Sequence, residues 1–162
     1  MNERKHALIA ILEQNYEAFD ALLEQLTDED LKRRTVTGWT VAQTAGHVTD
    51  LPYGLYVAKR LARGESVKMP SFLSHFIDIS NWWTVRRFRT WSKADLSNAW
   101  ADAHTRVVRF VGELPDEALD RGGEVDGYDG WLTTYQFLAL APEHVAKHAP
   151  AIRQAIGLPP GP

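Results

Sequence analysis

Two histidines near the carboxyl end of the sequence, His144 and His148, have a spacing that suits a shared metal ion. Side chains at positions i and i+4 lie one above the other on one helical face, so both imidazoles can reach the same ion. A third histidine, His47, lies far upstream in another segment with helical character. Three nitrogen ligands and one open position form the arrangement that a hydrolytic metal needs. A divalent metal site, with zinc or nickel as the expected ion, is therefore one interpretation of these three residues.

The same residues have a simpler interpretation, in which they are three unrelated histidines and two of them lie on the surface of a terminal helix. The chain contains six histidines, and this pair alone has ligand spacing. Spacing by itself leaves both interpretations open.

Two carboxylates lie close to these histidines in the sequence. Asp50 follows His47 by one helical turn, so it either accepts the second ring proton of a ligand histidine or is a solvated carboxylate. Glu143 precedes His144 directly and points about 100° around the helix from it. The order Glu-His-x-x-x-His is not the HExxH motif. We therefore expect Glu143 to support a ligand or lie on the surface, and not to act as a general base.

Other side chains are weaker candidates for the site. His104 is either a fourth ligand or proton shuttle, or a half-buried histidine with a hydrogen-bond partner. His75 and His6 have less in their favour. A group of aromatic and basic residues either lines a substrate pocket and binds carboxylates, or closes a core or dimer interface beside an exposed charged face. Its members are Trp82, Trp83, Trp91, Arg86, Arg87 and Arg89.

Composition limits the possible function classes. The 162 residues suit a single domain spanning 1–162, and 44% of them are hydrophobic. A net charge of −3 gives no reason to expect nucleic-acid binding. The absence of cysteine excludes disulfides, thiolate metal sites and a cysteine nucleophile. Because no segment is typical of a signal peptide or a membrane span, we expect a cytoplasmic protein that does not bind membranes.

Apolar periodicity predicts the elements that must position the histidines. A long amphipathic helix covers Asn2–Leu26. Thr40 caps a second helix that runs to Leu51, and Pro52 marks a kink or irregularity. The least periodic region, about Glu65 to Ser74, is the natural place for a long crossover connection.

Two further helices complete the prediction. Ser92 and Asp95 resemble an N-terminal capping pair for a helix that ends near Leu114. The last helix is predicted to contain residues 131–156. Pro142 implies either a kink or a helix that begins near it. No alternating strand pattern of useful length is present. The sequence therefore predicts an all-α four-helix bundle with a crossover between helices 2 and 3.

Several motifs resemble those of the DinB/YfiT-like family. Residues 38–47, Gly-Trp-Thr-Val-Ala-Gln-Thr-Ala-Gly-His, are similar to the family's helix-two signature, in which a tryptophan precedes a ligand histidine by eight residues. Residues 143–148, Glu-His-Val-Ala-Lys-His, look like its helix-four HxxxH motif. Residues 81–96 and 113–119 resemble segments in the corresponding places. The resemblance covers nearly the whole chain.

This resemblance implies an up-down-down-up bundle, a frequent homodimer, and a divalent ion held by His47, His144 and His148. It also implies a small-molecule substrate and one of two activities. Some members transfer low-molecular-weight thiols such as bacillithiol or mycothiol, and others are metal-dependent hydrolases. A non-catalytic protein that binds metal or sequesters a small molecule is the alternative. Pro142 departs from the family pattern, because a helix break there would displace His144.

Overall fold

The computed structural model describes residues 2–50, 52–68 and 85–159, and for residues 52 and 53 it describes the backbone alone. Within these ranges the chain is mostly helical. Its main helices, in chain order, are α1 (Glu3–Glu24), α2 (Val41–Thr49), α3 (Pro52–Leu61), α4 (Lys93–Glu113), α5 (Thr134–Ala139) and α6 (Ala141–Ala155). Short 3₁₀ turns lie at Asp30–Lys32, Phe88–Thr90 and Asp116–Leu119.

Side-chain caps begin two of the helices at the positions that the sequence predicts. Thr40 accepts a hydrogen bond from the backbone of Gln43, and the Gln43 side chain accepts one in return, at 3.2 and 2.9 Å. Ser92 and Asp95 form the same reciprocal pair, also at 3.2 and 2.9 Å. Each pair satisfies N–H groups that the first turn of a helix leaves without partners. Both predicted helix starts are confirmed.

The irregularity predicted at Pro52 is a complete break between two helices. Asp50 ends α2 with ψ at 79°, outside the helical range. Pro52 then begins α3. Proline suits this position because the first turn of a helix does not need its missing N–H group.

The prediction that residues 131–133 begin the last helix is wrong. Trp131–Thr133 form a strand, β2, that pairs antiparallel with β1 (Gly122–Glu124). Gly127 and Gly130, with φ values of 83° and 77°, turn the chain between the two strands. Strands of three residues are too short for a periodic signal, which explains why the sequence reveals no strand. Thr133 then caps α5 with Gln136.

The core lies where α1, α2, α4 and α6 pack together. Helices α1 and α4 are antiparallel, and polar contacts join them at both ends. The backbone N–H of Lys93, at the start of α4, donates to Asp28 beyond the end of α1, at 3.0 Å. Lys5, buried in the first turn of α1, pairs with Asp116 beyond the end of α4, at 2.8 Å.

The predicted crossover overlaps residues 69–84, which lie outside the described residues, so its path and the up-down-down-up order stay predictions. The single-domain assignment is likewise a prediction. Among the helices that the structure describes, none is both long and apolar enough to cross a membrane.

A very close contact fixes α2 against the turn that precedes α4. A Cβ atom added to Gly46 would lie 2.2 Å from Cγ of Phe88, and 2.6 Å from its Cβ. Phe88 is fully buried, and the crowded atoms lie at the root of its side chain, where rotation gives little relief. Only glycine therefore fits at position 46 in this packing.

We predict that Gly46→Ala destabilises the protein by about 1–3 kcal/mol, the usual range for overpacking a core. Gly112→Ala is the matched control, because a Cβ atom at Gly112 of α4 would meet nothing within 4 Å. Removing a helical glycine there should stabilise the fold by about 0.5–1 kcal/mol. Urea unfolding midpoints measure both changes. Equal midpoints for the two variants would contradict the predicted contact.

Candidate metal centre

Three histidines from two helices converge in the structure. His47 is on α2, and His144 and His148 are on α6. Each contributes one ring nitrogen, and these nitrogens lie within 4.8 Å of one another. The ring centroid of His47 lies 5.1 Å from that of His144 and 4.9 Å from that of His148. Three ring nitrogens this close to one another could hold one metal ion, for which zinc–nitrogen bonds are about 2 Å long.

Helix α6 positions two of these rings because it begins where Pro142 can be tolerated. The helix starts at Ala141, so Pro142 is in its first turn. The backbone N–H of His144 donates to the carbonyl of Leu140 at 3.2 Å, which is a regular helical bond. Of the two possibilities for Pro142, the structure contains the helix that begins beside it. His144 and His148 therefore lie one turn apart on one face, with ring centroids 4.9 Å apart.

Helix α2 presents His47 to α6 because its other faces are buried. Val41, Ala45 and Val48 lie in the core, and Phe88 covers Gly46 on another side. The Trp39 ring, just before the helix, packs edge-on against His47 with centroids 5.5 Å apart. The tryptophan of the helix-two motif thus contacts the histidine that follows it by eight residues.

The surroundings keep all three imidazoles neutral. Burial is the largest cause that lowers the pKa of His47, and the Asp50 carboxylate opposes it in part. Burial, neighbouring imidazoles and the Lys147 ammonium lower the pKa of both His144 and His148 to about 4. His144 is exposed by surface area, yet protein atoms crowd it enough for lost hydration to dominate. At neutral pH each ring therefore offers the unprotonated nitrogen that a metal requires.

Asp50 does not bind a histidine ring in the way that the sequence left open. Its carboxylate instead accepts a hydrogen bond from the Arg87 guanidinium at 2.6 Å. Asp50 thus acts on His47 through its charge. Glu143 is exposed and is not a member of the histidine group. An acidic side chain in the first turn of α6 interacts favourably with the positive end of the helix dipole.

The remaining candidates that the structure describes are not part of the group. His104 stacks on Tyr16 of α1, with ring centroids 4.3 Å apart, and its Nε2 atom is buried without a hydrogen-bond partner. It is therefore not a fourth ligand in this structure. His6 is exposed on α1. His75, Trp82 and Trp83 lie outside the described residues.

Trp91 and Arg87 line a small cavity of about 170 Å³ beside the end of α2. Trp91 also packs edge-on against Phe88, with centroids 4.6 Å apart. None of the three grouped histidines is among the described residues that line this cavity. Trp91 thus packs against the core and Arg87 pairs with Asp50, while a substrate-binding role for the aromatic and basic residues stays a prediction.

Lys147 is not among the residues predicted from the sequence to influence the site. This exposed lysine lies between the two histidines of α6, and its ammonium lowers the pKa of all three rings. Its position three residues after His144 is a signal that helical spacing could have provided.

The chain has recognisable relatives. The model of a family described as the DinB superfamily matches residues 11–152. No curated protein matches the chain.

Three of the solved structures with a similar fold span nearly all of this chain. YfiT from Bacillus subtilis, described as a probable metal-dependent hydrolase with an unusual four-helix bundle topology, is 19% identical, with a TM-score of 0.68 and coverage of 98% of this chain and 91% of its own. An uncharacterized protein from Clostridium difficile 630 is 15% identical, with a TM-score of 0.71 and coverage of 95% and 96%.

The third structure is a mycothiol-dependent maleylpyruvate isomerase, which is 14% identical with a TM-score of 0.72. The match covers 94% of this chain but 63% of the isomerase, so the chain spans less than two thirds of that enzyme's length. Identities this low show a common fold and nothing further.

The lowered histidine pKa values predict a pH dependence for the metal-free protein. Between pH 6.5, the ordinary value, and about pH 4, the unfolded chain binds more protons than the folded one. The contribution of these two histidines to the free energy of unfolding should therefore fall as the pH falls through this window and be constant above it. Urea unfolding as a function of pH measures this loss.

In a His144→Gln/His148→Gln variant, the free energy of unfolding should fall less steeply over the same pH window. Gln154→Ala is the control, because Gln154 is exposed on the same helix and has no titratable group. A variant as pH-dependent as the wild type would show that these rings are not the groups that titrate.

Proposed function

The chain belongs to the DinB superfamily, and from this premise we propose that it is a divalent-metal-dependent enzyme whose ion is held by His47, His144 and His148. The convergence of three imidazoles from two helices carries this proposal. If the three histidines were unrelated surface residues, nothing would bring their nitrogens within 4.8 Å of one another. The group forms because α2 packs on α6, which brings together residues that are far apart in the sequence.

The donor set fits a borderline divalent ion. Three neutral nitrogen donors suit zinc, nickel and similar metals, whereas magnesium and calcium prefer oxygen ligands. Zinc or nickel is therefore the proposed ion. When bound, the ion would act as a Lewis acid that lowers the pKa of a water or thiol ligand.

The protein's own side chains hold and orient the site. Trp39 packs against His47 and restricts its ring. The helical bonds of α6 keep His144 and His148 in line. Among the described residues, no fourth histidine or carboxylate joins the group. Structural zinc sites usually have four protein ligands, so three favour an open position for a substrate.

Two reaction classes are compatible with this centre. A hydrolase would use water, as the description of YfiT suggests for that protein. A thiol transferase would use a low-molecular-weight thiol as cosubstrate, as mycothiol dependence suggests for the isomerase. Because the chain has no cysteine, the thiol must come from outside the protein. The substrate in both cases is a small molecule.

The alternative function is a non-catalytic protein that binds a metal or sequesters a small molecule. We also propose that the protein is an up-down-down-up bundle with a crossover between its second and third helices, that it forms a homodimer, and that it is cytoplasmic. The likeness to a four-helix bundle supports this connectivity.

Elemental analysis of protein purified without a histidine tag should find about one divalent ion per chain. His144→Ala/His148→Ala should lose nearly all of it, because two of three ligands are removed. His6→Ala, an exposed change on α1, should retain it. Circular dichroism checks that each variant is folded. A folded double variant with full metal content would contradict the proposed ligands.

Turnover assays distinguish the enzyme from the binder. We expect metal-dependent turnover of small esters, amides or electrophiles, abolished by a chelator and restored by zinc or nickel. Turnover without added thiol identifies a hydrolase, and turnover that requires a thiol identifies a transferase. A metal-loaded protein that binds members of such a panel without converting them would favour the non-catalytic alternative.

A further inference from the structure

The cavity beside the end of α2 is separate from the three histidines. Its volume is about 170 Å³, and no grouped histidine is among the described residues that line it. A dry apolar cavity of about 150 Å³ holds benzene in another protein, whereas pockets for drug-sized ligands usually exceed about 300 Å³. The size of this cavity therefore suits a single ring with a short substituent.

Part of the cavity wall is apolar and aromatic. Phe88 is fully buried, and Trp91 packs edge-on against it with ring centroids 4.6 Å apart. Helix α4 contributes Ala99 and Ala103, which lie one turn apart on the same face. Their short side chains leave space that larger residues would fill. A ligand with an aromatic ring can bury apolar surface here and contact the two aromatic side chains.

The charged residues of the cavity form two pairs of opposite sign. Arg87 donates to Asp50 at 2.6 Å and lies over the Phe88 ring, 4.6 Å from its centroid. Arg106 lies 2.9 Å from Asp102. The side chains of Arg87, Asp102 and Arg106 are more than half exposed, so they are on the solvent side of the cavity. These two pairs carry all the charge of the described lining residues, which therefore have no net charge.

Balanced charges favour an uncharged ligand. Each arginine would attract a carboxylate, but the aspartate paired with it would repel the same group, and an ammonium would meet the reverse. Either ion would also lose hydration against the apolar wall without gaining an unpaired partner. A hydroxyl or amide loses less, and it can accept from a guanidinium or donate to a carboxylate, since both groups form several hydrogen bonds.

We propose that this cavity binds an uncharged small aromatic molecule that carries a hydroxyl or amide group. None of the three proposed metal ligands is among its described lining residues, so the inference goes beyond the proposed function and does not depend on it. Water alone fills many cavities of this size, and the two roles differ in measurable ways.

The experiment titrates the protein with three compounds of nearly equal size: benzyl alcohol, benzoate and benzylammonium. Ligand-observed NMR measures each dissociation constant. We expect benzyl alcohol to bind in the millimolar range, which is usual for so few non-hydrogen atoms. Both ions should bind at least about tenfold more weakly. An ion that binds as tightly as the alcohol would overturn the charge preference, and no binding of the alcohol would overturn the site.

The His144→Ala/His148→Ala variant separates this cavity from the metal centre, because benzoate and benzylammonium could otherwise bind a metal ion. Benzyl alcohol should bind this variant as tightly as it binds the wild type. A loss of its binding would place it at the histidines and overturn the inference, whereas loss of the metal alone bears only on the proposed function.

Two substitutions on α4 localise the binding. Ala99→Leu should weaken benzyl alcohol binding at least about tenfold, because the larger side chain takes up space in the cavity. Ala99 is partly exposed, which gives the leucine room to fit without unfolding the helix. Ala101→Leu is the matched control, since Ala101 is exposed on α4 and is not among the described lining residues. Equal affinities in the two variants would overturn the site.

Two further substitutions test the charge balance. Arg87→Gln leaves Asp50 without its partner, so the preference should shift towards benzylammonium. Asp50→Asn leaves Arg87 without its partner, so the preference should shift towards benzoate. We expect each shift to be about fivefold, the upper range of an exposed charge interaction. A loss of affinity shared by all three compounds in the folded variants would overturn the charge argument.

Discussion

The packing of α2 against α6 is the contact on which the site depends. A helix of nine residues is too short to be stable by itself in water, so the bundle must hold α2 in place. Three constraints do so: the reciprocal cap at Thr40, the apolar face that lies in the core, and the Phe88 ring on Gly46. The position of His47 is therefore a product of tertiary packing, with little contribution from local helix propensity.

The sequence predicted helices best where strong local signals act. Thr40 and Ser92 cap helices as expected, since capping depends on residues three apart in the chain. The prediction of a helix at Trp131 was wrong, because a three-residue strand is specified by its partner strand and by the glycines between them. The i, i+4 spacing of two histidines was local information as well. The approach of His47 to them was suggested by its place on another helix of the predicted bundle and by motif resemblance, and local spacing could not decide it.

Charges around the site could not be read from the sequence in the same way. Asp50 lies one turn after His47, which suggested a direct hydrogen bond, but Arg87 from a distant segment binds it instead. Lys147 is on the same helix as two of the histidines, yet its influence on all three depends on the approach of α2. Both cases show that charge pairing depends on which elements meet.

The place of His144 within α6 has a kinetic consequence. His144 is the fourth residue of its helix, and its backbone bond to Leu140 belongs to the first turn. Terminal turns open more readily than helix centres. Val145, the next residue, is buried and anchors the rest of α6 in the core. At the proposed metal site, opening one turn would therefore detach a single ligand while the bundle stays folded. Exchange of the proposed ion would then not require global unfolding of the protein.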